Sequence, residues 1–366
     1  MLRLRKSVYN ATMYVGGLTT DEVIKKYNIK EVVKLGSNEN NYAPFSGVYE
    51  VMQQELARTN VYPEKNYERL RRLLGEKHGV TSDWIALGHG AGNVLDTIAK
   101  TFIEDGDEVI IPNQTYGLYR EICLIMGATV KGCDLDEDYT INLDKISELI
   151  TEKTKLIWIC NPNNPTSTII EKQKLENFIE NLPGHVYLVM DEAYCDFAPE
   201  KSLPDTVGYV KKGYNVIAVR TFSKFYGLAG QRVGYMVGNE ELISYINTVA
   251  EPFNANRIGL AAAVELLKNS TGEAEKYKKI MLEDREWMKE DLRKMGLEVV
   301  DSSANFLFVT LPILAKEFNE KLLYQGVIAR PCTGWGYPQH LRISVGTTHE
   351  NKKCIEAMKH ALESLK

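Results

Sequence analysis

The sequence predicts an α/β fold, with a mostly parallel mixed sheet between helices and a smaller α+β domain at the C-terminus. Three observations predict it. Between residues 84 and 237, short apolar runs alternate with helix-like stretches. The runs are rich in β-branched residues and show little polar alternation, as strands buried on both faces do. From about Asn256 the texture changes to long charged helices and short strands.

The elements follow in order. The stretch before Phe45 reads as irregular, so residues 1–45 are taken as an N-terminal arm. Residues 46–253 form the expected large domain, with strands at Trp84–Leu87, Glu108–Ile111, Leu156–Cys160, Val186–Met190, Val216–Val219 and Val233–Val237. Helices are expected between most of them, as at Asn93–Ile103, where Val94, Ile98 and Phe102 recur at helical spacing, and at Lys172–Glu180. Residues 254–366 form the expected small domain. It has helices at Ala261–Lys268 and Glu273–Met295, strands at Glu298–Val300, Asn305–Thr310, Gly326–Arg330 and Leu341–Val345, and a last helix at Glu350–Leu365.

Composition narrows the function classes. A net charge of −5 with no basic stripe gives no reason to expect nucleic-acid binding. The longest apolar runs are of strand length, too short for a membrane span, and the basic start lacks the apolar core of a signal peptide. The six cysteines form no C-x-x-C pair and the six histidines no H-x-x-x-H pair, so no metal site is expected. A cytoplasmic protein fits best.

Several residues that carry chemistry end the apolar runs. Gly88-His89-Gly90-Ala91-Gly92-Asn93 lies between a strand and a helix, where free backbone N–H groups and the helix dipole favour an anion. It is not a dinucleotide fingerprint, because Asn93 replaces the third glycine and no acid ends the next strand. Tyr116 offers an aromatic face after the next strand. Asn164 follows the strand at Leu156–Cys160 and Asp191 the one at Val186–Met190. An amide there can donate to a phenolate oxygen, and an aspartate can pair with a protonated pyridine nitrogen; the plainer readings are a turn and a helix cap. Thr221-Phe222-Ser223-Lys224, with Arg232 eight residues on, combines an amine that can condense with an aldehyde and donors that can hold a phosphate. Arg342 interrupts an apolar strand and needs an anionic partner, either a structural acid or a ligand carboxylate or phosphate. Arg330 poses the same question at a strand end.

Taken together, the chain resembles the fold-type-I pyridoxal-phosphate enzymes of the aminotransferase class I/II group, and within it the histidinol-phosphate aminotransferases. The carriers are Ser37-Asn38-Glu39-Asn40, Tyr62-Pro63, Asn163-Asn164-Pro165-Thr166, Asp191-Glu192-Ala193-Tyr194, Ser223-Lys224 with Arg232, and Leu341-Arg342-Ile343-Ser344-Val345-Gly346-Thr347. The resemblance implies pyridoxal 5'-phosphate as cofactor, with Lys224 bonded to it and later moving the substrate proton. Asp191 pairs with the ring nitrogen, Asn164 and Tyr194 bond the ring oxygen, and Tyr116 stacks on the ring. Ala91, Gly92, Thr221, Ser223 and Arg232 hold the phosphate, joined by Tyr62 from the other subunit of a homodimer, on which the N-terminal arm also packs. Arg342 clamps the substrate carboxylate where there is one, or the phosphate region where there is not, Arg330 and Tyr14 contact a distal substrate phosphate, and Asn38 lies at the substrate. The implied partners are an amino donor and a keto acid acceptor. Two other activities stay open, decarboxylation of a phosphorylated amino acid and transamination of aromatic amino acids. Four positions depart from the family pattern. Ser167 replaces a glycine, Asn41 and Gln114 replace prolines, and Gly92-Asn93 replaces an acidic pair.

Overall fold

A computed structural model describes residues 4–10, 12 and 16–365 of the chain. Its main sheet has seven strands, in the order Ile85–Gly88, Gly234–Val237, Val216–Thr221, Tyr187–Asp191, Thr154–Cys160, Glu108–Pro112 and Thr129–Cys133. Only Gly234–Val237 runs against its neighbours; the last five strands pair in parallel. The parallel strands are apolar because both faces are covered. Period-2 alternation divides them between two cores. Val109, Trp158, Val189 and Val219 pack with the helices Gly90–Phe102 and Leu118–Met126. Ile110, Ile157, Ile159, Leu188 and Met190 pack on the other face with Ile146, Leu175 and Ile179.

A second, antiparallel sheet of four strands joins Arg330–Pro331, His340–Ser344, Phe306–Thr310 and Glu298–Val299. Residues of the helices Thr271–Lys294, Ala315–Tyr324 and Thr348–Glu363 share its core. That core runs on without a break to Leu87, Phe222 and Tyr235 beside the large sheet. The two sheets therefore share one apolar core.

The structure corrects the sequence reading in four places. The arm is not wholly irregular. It holds a helix at Thr20–Tyr27, opened by a capping box between Thr19 and Glu22, and the strand Val33–Lys34. The Thr-x-x-Glu spacing was its signal. The edge strand Thr129–Cys133 escaped because its side chains are mostly polar or partly exposed. The single strand expected at Gly326–Arg330 is two. Val327–Ile328 pairs in parallel with Val33–Lys34, whereas Arg330–Pro331 joins the four-stranded sheet. The two helices expected near residue 270 are joined through a π-helical turn at Leu266–Ser270. We propose residues 46–253 and 254–366 as the large and small domains, with 1–45 as the arm; the pairing of Val33 with Val327 supports that assignment of the arm.

Candidate active site

In parallel sheets the carboxyl ends of the strands open onto ligand crevices. Here a cavity of about 400 Å³ opens there. It is lined by Ala91, Gly92, Tyr116, Asn164, Asp191, Tyr194, Thr221, Ser223, Lys224 and Arg232 from the large sheet, and by Asn38, Arg330 and Arg342 from the arm and the small sheet. Two predicted residues are not among them. Tyr62 is 73% exposed and stacks on Phe253, on the surface of its own chain. Tyr14 lies outside the described residues.

One end of the cavity is built for an anion. The helix Gly90–Phe102 starts there, and no side chain caps its first N–H groups. Arg232, held by Ala229 O at 3.0 Å, lies across that helix start, next to Ser223. The Thr221 hydroxyl donates to Ser223 Oγ at 2.9 Å and accepts from Ser223 N at 3.0 Å, which fixes both hydroxyls on one wall. A Cβ on Gly90 would sit 2.3 Å from Arg232 Nη2, and Gly90 has φ +80°. Gly90→Ala is therefore expected to displace Arg232 and destabilise the fold by about 1–2 kcal/mol, the usual cost of a left-handed backbone at a residue with a side chain; a urea midpoint that does not move would contradict this.

Lys224, next in the chain to Ser223, and Asp191 also line the cavity. Lys224 Nζ donates to Ser37 O at 3.0 Å and lies 5.7 Å from the centre of the Tyr194 ring. Burial, and next the positive charge of Arg342, lower its pKa to about 8. Asp191 is buried, and burial raises its pKa. It accepts from Tyr119 Oη at 2.6 Å and from Ala193 N at 3.0 Å. The neighbouring acid, Glu192, is turned away into a partly buried ion pair with Arg220 at 2.8 Å. Tyr194 accepts from Asn38 Nδ2 at 3.1 Å, and burial pushes its hydroxyl well above the ordinary range.

The wall contributed by the small sheet is cationic. Arg342 donates to Asn164 Oδ1 at 2.5 Å and to Gly36 O at 2.7 Å. Its guanidinium lies 5.5 Å from the centre of the Trp335 ring, and that of Arg330 lies 5.8 Å from the same ring. Strand pairing sets Arg330 opposite Arg342, so the two cations share one wall of the cavity, each against Trp335. Sequence reading missed Gly17, Gly36, Ser37, Glu39, Cys160, Ala193, Ala229, Gly230 and Trp335 as lining residues. Ser37 and Glu39 were legible as neighbours of Asn38; Trp335 carried no signal beyond its flanking glycines.

The four departures have structural counterparts. Ser167 takes the left-handed backbone (φ 62°) at which a glycine is unstrained. Asn41 donates to Glu350 Oε1 at 2.8 Å, tying the arm to the last helix. Gln114 donates to Asp134 at 2.9 Å, and Asn93 accepts from His89 N at 3.1 Å. None of these contacts reaches Lys224 or Asp191. Among the described residues no cluster of acids, histidines and cysteines could hold a metal, and no helix is long and apolar enough to cross a membrane.

Sheet order and site together define a fold-type-I transferase scaffold. The sequence pattern of the family described as aminotransferase class I and II matches residues 30–359. A histidinol-phosphate aminotransferase of Moorella thermoacetica is 35% identical over 98% of this chain and 93% of its own length. Histidinol-phosphate aminotransferase 2 of Carboxydothermus hydrogenoformans is 36% identical over 99% of this chain and 100% of its own. In fold, the chain matches the crystal structure of histidinol-phosphate aminotransferase from Sinorhizobium meliloti in complex with pyridoxal 5'-phosphate, with a TM-score of 0.91 at 24% identity over 100% of this chain and 99% of that one. Aspartate aminotransferase from Thermus thermophilus with maleate matches with a TM-score of 0.84 at 23% identity, over 99% and 100%. The chain belongs to the aminotransferase class I and II family, and it is an aminotransferase.

Proposed function

We propose that this chain transfers an amino group from histidinol phosphate to 2-oxoglutarate in histidine biosynthesis, as a cytoplasmic homodimer with pyridoxal 5'-phosphate bound in the cavity. The observation that carries the reading is the polarity of that one cavity. An anion cradle, a buried acid and a partly buried lysine come from the large sheet, and two arginines come from the small sheet. The donor set suits the cofactor. Ala91 and Gly92 amides, Thr221, Ser223 and Arg232 would hold its phosphate, and Tyr62 of the partner subunit would add a further contact. Asp191 would pair with the ring nitrogen, Asn164 and Tyr194 with the ring oxygen, and Tyr116 would cover one face.

When bound, the cofactor supplies an aldehyde that condenses with amines and a cationic ring that accepts electrons from the substrate carbon. The protein does the rest. Lys224 would move the proton between the substrate carbon and the cofactor carbon, from a position three residues past the strand Val216–Thr221. Arg342 receives the carboxylate of the keto acid, and Arg330 with Tyr14 receives the distal phosphate of the amine, beside Asn38. Replacing Arg330 by alanine is expected to raise KM for histidinol phosphate roughly 10- to 100-fold, as removal of a charged hydrogen-bonding partner does. The KM for 2-oxoglutarate should change little; an unchanged KM for the phosphorylated amine would remove the phosphate assignment.

Lys224 attacks an aldehyde only as the free amine. With a pKa of about 8, the rate of loading the empty protein with cofactor should fall about tenfold per pH unit below pH 8 and level off above it. Stopped-flow absorbance at several pH values checks this, and a rate flat from pH 6 upwards would contradict it.

A half-reaction screen tests the function itself. The loaded protein is mixed with histidinol phosphate, phosphoserine, phosphothreonine or an aromatic amino acid, one at a time, without a keto acid. Rapid loss of the visible band with histidinol phosphate and its return with 2-oxoglutarate are expected. Release of carbon dioxide from a phosphorylated amino acid, or preference for an aromatic amino acid, would replace the reading.

A further inference from the structure

We propose that Tyr119 is a positioning residue for Asp191, holding the carboxylate ionised and oriented toward the ring nitrogen of the cofactor. The inference rests on the pyridoxal-phosphate reading above. Asp191 is 4% exposed and ends a strand buried on both sides. A carboxylate so far from water drifts toward its neutral form, which cannot pair with a cationic ring. The groups around it do little to prevent that. Burial holds Cys160 and Tyr194 neutral, and Glu192 and Lys224 act on Asp191 in opposite directions.

Tyr119 supplies the missing support. Its hydroxyl donates to Asp191 Oδ2 at 2.6 Å, within the range of a hydrogen bond to a charged acceptor. Burial raises the Tyr119 hydroxyl well above its ordinary pKa, so it stays a donor. The second oxygen, Oδ1, accepts from Ala193 N, so both oxygens are fixed in direction. The donor is itself rigid. Tyr119 is fully buried, stacks on Trp158 at 5.4 Å and 18°, and meets the Tyr116 ring edge-on at 5.5 Å and 84°. Tyr116 lies three residues before Tyr119, just ahead of the helix Leu118–Met126, so one short segment carries both rings.

Tyr119→Phe keeps the ring and removes only the hydroxyl. Empty protein would be titrated with pyridoxal phosphate and with its analogue in which the ring nitrogen is replaced by carbon. The variant is expected to bind pyridoxal phosphate roughly 10- to 100-fold more weakly. Its affinity for the analogue, which offers no nitrogen to pair, should be unchanged. Adding Tyr119→Phe to Asp191→Asn should have no further effect. Infrared difference spectra of the empty protein should show a protonated Asp191 carboxyl band in the variant at a pH where the wild type shows none. Equal losses for both ligands, a loss of the same size on the Asp191→Asn background, or undiminished pyridoxal-phosphate binding would each overturn the inference. A wild-type protein that binds no pyridoxal phosphate would instead overturn the reading beneath it.

Discussion

Replacing Lys224 by alanine is expected to abolish the visible band of the loaded protein and to slow transamination at least about 10⁴-fold, the upper range for loss of a positioned acid–base group. The size of the effect follows from the cavity. Among the described residues no other lysine lines it, and its remaining cations, Arg232, Arg330 and Arg342, are guanidinium groups that offer no free amine. The substitution should not unfold the protein. Lys224 is tied to Ser37 O by a hydrogen bond, and its lowered pKa means that the folded state binds its proton less tightly than the unfolded chain does. Between pH 8 and 10.5 the unfolded chain therefore holds the extra proton, and wild-type stability from this group rises with pH. Below pH 8 the full penalty applies, so the empty Lys224→Ala protein should melt no lower than wild type there. Rate measurements under single turnover, with circular dichroism melts beside them, check both halves. An alanine variant that kept the band would contradict the assignment.

Replacing Asp191 by alanine should lower kcat/KM roughly a hundred- to several-thousand-fold, the range for removing one partner of a buried ion pair. It should also cost about 1–3 kcal/mol of stability, because Tyr119 Oη is left as a buried donor without its acceptor. Asp191→Asn separates the two effects. Its side-chain oxygen can still accept from Tyr119, so stability should largely return while the rate remains low. A steady-state assay together with urea unfolding of both variants decides the point; recovery of the rate in the asparagine variant would show that charge at this position is not needed.

Much of this site was legible because of how parallel sheets are built. Asp191 closes its strand, and Asn164 and Lys224 follow theirs within four residues, so apolar runs in the sequence pointed to residues that meet in space. The glycine loop was legible for the same reason, since it joins a strand to a helix start. The illegible parts have a different origin. Tyr119 matters through a contact with a residue 72 positions away, and nothing in its helix spacing separates it from an ordinary core tyrosine. Trp335 gains its place only when two strands set Arg330 opposite Arg342. The strand Thr129–Cys133 sits at a sheet edge, where one side is wet and the apolar pattern fades. The arm helix was written in a capping box rather than in an apolar stripe.

The most direct test of the central claim is to find where the cofactor is attached. Protein loaded with pyridoxal phosphate would be reduced with borohydride, which fixes the link permanently, then digested and mapped by mass spectrometry. The pyridoxyl mass is expected on the peptide that carries Lys224, at one equivalent per chain. The mass on a different lysine, or on none, would contradict the account.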